Sequence, residues 1–174
     1  MAGYIIHLAV GEEFIKKHPK YIKNHEEFID GIIYPDRTSD KTLTHYGPKS
    51  SQVHLDKYFQ ERDILSDFEK GYFLHLITDY LFYNKFLVIF NKEIMHNDYD
   101  LTNKEIEKRF KVKVPDYIKN SVFYKEGIPR ILNINEIMDF IEETAKNDLE
   151  IVKKAILNGD EYWLTIHVPK KIYS

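Results

Sequence analysis

Apolar residues recur along this chain at spacings of three and four, and the polar breaks between them divide it into helices. The stripe Ile5, Leu8, Ala9 and Phe14 predicts a first helix from about Tyr4 to Lys17, ended by Pro19. A second short helix is expected from about Asn24 to Ile33, stopped by Pro35. Residues 35–51 carry Asp, Thr, Ser, Gly and Pro and read as a long polar loop, of the kind that often bears function. A third helix is expected over about 52–62. Ser66-Asp67-Phe68-Glu69 is a capping box that opens the clearest element. From Tyr72 to Phe90 apolar residues lie on almost every face, which places this helix in the middle of the fold. Thr102-Asn103-Lys104-Glu105 reads as a second capping box opening a helix to about Phe110, preceded by a polar loop from His96 to Asp100. A shorter helix follows Pro115. Ile137, Ile141, Ala145, Leu149 and Val152 predict one long helix from about Asn135 to Leu157, with Gly159 as its stop. The tail over 162–172 is expected to be extended, with no substantial sheet.

The expected class is therefore all-α: a single-domain multi-helix bundle over 1–174 with a buried central helix. A length of 174 residues fits one domain with a real core. With 13 Tyr and 11 Phe against 7 Gly and 6 Pro, long helices with aromatic packing suit the chain better than strands and turns. A net charge of -3 lacks the basic footprint of a dedicated nucleic-acid binder. The absence of cysteine excludes disulfides, thiolate metal sites and cysteine nucleophiles, so any metal site must be built from His, Asp and Glu. The start of the chain has no basic segment followed by a long apolar one. The apolar run around 81–90 is broken by Asn84 and Lys85 and is too short to span a bilayer. No transmembrane segment and a cytoplasmic location are expected.

His75 and Asp79 are the sharpest chemical signal. They stand one helical turn apart in Gly71-Tyr72-Phe73-Leu74-His75-Leu76-Ile77-Thr78-Asp79-Tyr80, so both side chains leave the most apolar helix in one direction. A carboxylate in such surroundings needs a partner or a metal ion; an internal His–Asp hydrogen-bonded pair is the other reading. His7, flanked by Ile5, Ile6 and Leu8, fits a ligand or a core histidine bonded to a backbone carbonyl. Asp36, after Tyr34-Pro35, fits a ligand or a turn cap. His45, in Thr44-His45-Tyr46-Gly47, fits a ligand or a solvated loop histidine.

Taken in order, these residues resemble the zinc-dependent phospholipase C and nuclease superfamily. The stretches that carry the resemblance are His7-Leu8, the spaced set Phe28, Gly31, Pro35 and Asp36, Thr44-His45-Tyr46, and the run from Gly71 to Asp79. They cover about residues 4–90. The resemblance implies a helical bundle in which Asp36, His45, His75 and Asp79 bind one metal. His7 would serve a neighbouring metal, with Asp79 as bridge. Zinc suits imidazole and carboxylate ligands, in one or two ions, with manganese or iron as alternatives. The activity implied is metal-dependent hydrolysis of a phosphoester, with Asp36 doubling as the base that orients a water. The secreted members use a processed N-terminal amine as a ligand, for which this chain has no processing site. They also carry further His and His-x-x-x-Glu ligands, which this chain lacks after Asp79, where His96 and His167 stand alone.

His54 on the third helix reads as a surface histidine or one that approaches the site, His96 in its polar loop fits a substrate contact over the site or a capping turn, and His18 and His25, flanking a loop, read as solvated. Lys16, Lys17, Lys20 and Lys23 read as a solvated face first and a phosphate-attracting patch second. The leading expectation is a hydrolase of a small phosphoester or phospholipid, with nucleic acid a less favoured partner. The alternative is a non-catalytic helical binding or scaffold protein that keeps a structural metal or a buried polar network.

Overall fold

The computed structural model describes residues 2–173, and its regular structure is mainly helical. The helices are α1 (Tyr4–Lys17), α2 (His25–Ile33), α3 (Thr42–His45), α4 (Leu55–Glu61), α5 (Asp67–Leu81), α6 (Lys92–Phe110), α7 (Ile134–Ala145), α8 (Leu149–Leu157) and α9 (Glu161–Leu164). Two strands of two residues each, β1 (Ile89–Phe90) and β2 (Lys170–Lys171), pair in parallel. Among the described residues no helix is long and apolar enough to cross a membrane.

Side-chain caps set several boundaries. The Asn24 side chain accepts from the Glu27 N–H at the start of α2, and Ser66 accepts from Glu69 N–H at the start of α5. Every residue from Gly71 to Leu81 of α5 is buried, as its all-round apolar character requires.

Four expected boundaries move. The apolar run to Phe90 does not stay α-helical: it passes through a π-helical turn at Phe82–Phe86 and becomes extended at Leu87. There Asn84 uses its amide to bond Tyr80 O and to accept from His167 N–H, tying the turn to the C-terminal tail. The supposed loop from His96 to Asp100 lies inside α6, which Asn91 caps eleven residues before Thr102. Ile94, Met95, Tyr99, Ile106 and Phe110 form one buried stripe, and Thr102 bonds back to Asp98 O within it. The single helix expected over 135–157 is two, because Asp148 caps a new start by accepting from Glu150 and Ile151 N–H. The inward series from Ile137 to Val152 is nonetheless buried throughout. The 35–51 stretch is not wholly irregular, since it holds a 3-10 turn at Tyr34–Asp36 and the single turn of α3.

Two glycines bring the site together. A Cβ on Gly31 of α2 would overlap the Phe68 carbonyl oxygen, and one on Gly71 of α5 would overlap that of Phe28. The backbones of α2 and α5 therefore cross at a separation that only glycine permits. That crossing delivers Asp36, just past the end of α2, to the face of α5 that bears His75 and Asp79. Helix α1 packs against α2, α5, α6 and α7 and lays His7 along the same face.

Candidate metal centre

The structure brings Asp36, His45, His75 and Asp79 together at the centre of the helices, with all four side chains sealed from solvent. His45 Nε2 lies 3.1 Å from Asp79 Oδ2, 3.2 Å from His75 Nε2 and 3.3 Å from Asp36 Oδ1. His75 Nε2 lies 3.2 Å from Asp79 Oδ2 and 3.5 Å from Asp36 Oδ1. Four ligands placed tetrahedrally about 2.0 Å from a zinc ion would be separated by about 3.3 Å. The observed spacings bracket that value.

Hydrogen bonds fix the orientation of both imidazoles. His75 Nδ1–H donates to Ile32 O at 2.7 Å. His45 Nδ1–H is shared between Lys41 O at 3.1 Å and Thr44 Oγ1 at 3.0 Å, while Thr44 donates its own hydroxyl proton to Pro35 O. With the Nδ1 protons held by oxygen acceptors, both Nε2 atoms turn inward. Protons on both would converge in the space between them, whereas one cation satisfies all four atoms.

Asp36 supplies an independent sign. Neither of its oxygens has a hydrogen-bond partner among the described residues, although both are buried. A carboxylate taken out of water without hydrogen bonds needs nearby positive charge, which a metal ion or a protonated imidazole can supply. Its near neighbours are the two imidazoles and the Lys41 ammonium, 3.8 Å from Oδ1 and one-third exposed.

The charges respond to one another when no metal is present. Burial pushes the His75 pKa down, but the carboxylates of Asp36 and Asp79 outweigh it and raise it to about 9. His45 is raised in the same way, burial being overcome by the neighbouring carboxylates of Asp36 and Asp79. Burial drives both carboxylates up, yet His75 and His45 beside Asp36, and His7 and His75 beside Asp79, hold them well below the usual range. His7 is lowered to about 4 by burial and by His75.

His7 does not join the four ligand atoms. Its Nε2 lies 3.0 Å from Asp79 Oδ1, on the other side of that carboxylate, and its ring stacks on His75 with centroids 3.6 Å apart. His54 sits at the N-cap position of α4, outside that helix, and His96 is exposed on α6. His18 is less solvated than expected, since Nε2–H donates to Ala145 O at 2.9 Å and the ring packs on Phe14. His25 is exposed and pairs with Glu12.

Sequence reasoning missed two groups at the site and one buried acid that serves the fold alone. Lys41 gave no signal, because its role arises from the turn that brings it to Asp36. The carbonyl of Ile32, which orients His75, carries no side-chain signature. Asp98 is fully buried and accepts the backbone N–H groups of Arg130, Ile131 and Leu132, fastening an extended segment to α6. Its place in the apolar stripe of α6 was the available clue.

A cleft of about 730 Å³ lies beside the centre, lined by Tyr34, Arg37, Tyr46, Arg62, Tyr72 and Tyr117 among others. None of the four candidate ligands lines it; Thr44, which neighbours His45 in sequence, does, and the Tyr72 hydroxyl donates to Thr44 O at 2.7 Å. Arg62 is held by Glu69 at 2.6 Å. Arg37 stacks over the Tyr117 ring and forms no ion pair among the described residues.

Comparison of the chain with protein-family models, with curated proteins and with solved structures finds no match.

Proposed function

We propose that this chain is a metal-dependent hydrolase of a phosphoester, whose 1–174 residues form one helical domain around a zinc ion held by Asp36, His45, His75 and Asp79. The observation that carries the reading is a set of four ligand atoms all within 4.8 Å of one another, in which the imidazole nitrogens stand 3.1–3.5 Å from each other and from the two carboxylates and have their second ring nitrogen already committed. The nitrogen and oxygen donors suit zinc, with manganese or iron as alternatives. A bound ion of this kind polarises a phosphate oxygen and acidifies a water.

The chain's own residues supply the rest. Asp36, with both oxygens free of hydrogen bonds, can hold a ligand position with one and orient a water with the other. Lys41 reaches from solvent to Asp36 and places positive charge at the approach of a phosphate. Arg37, next to Asp36 in sequence and unpaired in the adjacent cleft, adds a second anion-attracting group above the tyrosine rings. A small phosphoester or a phospholipid headgroup fits this chemistry, and the ordered resemblance to zinc-dependent phospholipase C supports the same class. Assay of zinc-loaded protein against chromogenic phosphomonoesters and phosphodiesters tests the activity. Turnover that chelation abolishes and zinc restores is the expected result.

One observation favours a second reading, a structural metal in a non-catalytic protein. Four buried protein side chains could fill all four positions of a tetrahedral ion, as in closed structural sites. Uniform inactivity of zinc-loaded protein, together with a large metal-induced rise in Tm, would select this reading over the first.

A further inference from the structure

The two oxygens of Asp79 have different surroundings. Oδ2 faces His45 and His75 at 3.1 and 3.2 Å. Oδ1 points away from them and lies 3.1 Å from the Ala2 backbone nitrogen and 3.0 Å from His7 Nε2. A carboxylate oxygen offers about two lone-pair sites, so two donors fill Oδ1.

The proton of His7 can be placed. Were Nε2 unprotonated, its lone pair would oppose an anionic oxygen at 3.0 Å, and a buried N–H would be left at Nδ1, which has no partner among the described residues. Orphaned buried N–H groups are rarer than under-satisfied acceptors. The proton therefore sits on Nε2 and is donated to Asp79. The ring stacks nearly parallel to His75, at an interplanar angle of 5°, so it also fixes the plane of that imidazole.

We propose that His7 is a positioning residue and not a metal ligand: its Nε2–H holds Asp79 so that only Oδ2 faces the ion, and the centre is mononuclear. This rests on the metal-site reading above and deepens it. It departs from the second ion that the resemblance implied for His7. A bridging ion at Oδ1 would have to displace two donors that the fold already provides, while His7 Nδ1 lies on the opposite side of its ring.

The test is zinc and cobalt(II) titration of the full chain and of two variants, His7→Gln and His7→Phe. Glutamine keeps an N–H donor near the Nε2 position; phenylalanine keeps a ring to stack on His75 but removes the donor. Wild type should take up about one equivalent and show the visible spectrum of one tetrahedral cobalt site. His7→Phe should also take up about one equivalent, with affinity lowered roughly 10–100-fold, as for other groups that support a ligand. His7→Gln should recover much of that loss, and being polar and close in size it serves as the folded control. Two equivalents in wild type falling to one in His7→Phe would overturn the assignment and leave a metal centre standing. Unchanged affinity in both variants would overturn it as well. No uptake by wild type would overturn both this inference and the metal reading.

Discussion

The Nε2 atoms of His45 and His75 face one another at 3.2 Å, although one residue lies on a single-turn helix in a polar segment and the other in the most buried helix. Each ring is turned inward by a backbone carbonyl that accepts its Nδ1 proton, Lys41 O for His45 and Ile32 O for His75. Two rings held in this way share with Asp36 and Asp79 a buried space that could hold a metal ion.

His45→Ala is expected to lower zinc affinity by more than the roughly 100-fold upper limit seen for groups that only support a ligand. An ion held only by the folded state would raise Tm by mass action. Thermal melts with and without zinc should show a large shift in wild type and a much smaller one in the variant. Equal shifts would place His45 outside the site.

Asp79→Asn should abolish tight zinc binding, since Oδ2 is in contact with both imidazoles. Without metal the variant should fold, and the loss of a buried charge limits the destabilisation. Metal content by elemental analysis, paired with urea unfolding of the metal-free protein, checks both parts. Wild-type metal content in the variant would refute the assignment.

The raised pKa of His75 predicts a pH dependence. In the metal-free protein its folded value is about 9 and its unfolded value about 6.5. Its contribution to stability is therefore fully present below pH 6.5 and is lost as pH rises through 9. Zinc competes with the same protons, so zinc affinity should increase across that window as metal-free stability declines. Denaturant unfolding and zinc titration at pH 6.5, 7.5 and 9 measure the two trends, and a parallel rise of both would contradict the protonation scheme.

Gly31→Ala should disturb the centre from a distance. The added methyl meets the Phe68 carbonyl, so α2 and α5 must separate, at a cost of about 1–3 kcal/mol. Because α2 delivers Asp36 to α5, zinc affinity should fall along with stability. Lost stability at unchanged affinity would show that Asp36 does not depend on the helix crossing.

Asp98→Ala separates stability from the site. Removing an acceptor of three backbone N–H groups should destabilise the fold by about 3 kcal/mol or more, with zinc stoichiometry unchanged. Urea unfolding and metal analysis of the same preparation test this, and loss of zinc from folded variant would tie the Asp98 segment to the centre.

Much of this arrangement was legible in the sequence because it rests on local rules. The Ser66 cap, the burial of α5 on every face and the i,i+4 placement of His75 and Asp79 follow from spacing alone. His45 could not be told from a solvated histidine, since its burial comes from the turn around Lys41 and Thr44. Thr102 misled because a capping pattern inside a helix looks like one at its start, and tertiary burial of the Ile94–Phe110 stripe decides between them. The break at Asp148 was hidden by an inward apolar series that continues across both helices.

The most direct test of the central claim is the metal content of protein purified without chelator and without a histidine tag. Elemental analysis, followed by zinc titration of the chelator-treated protein, should find about one zinc or similar transition metal per chain, recovered in full on titration. Protein that carries no metal and takes up none would contradict the metal centre, leaving Asp36, His45, His75 and Asp79 as a buried polar network.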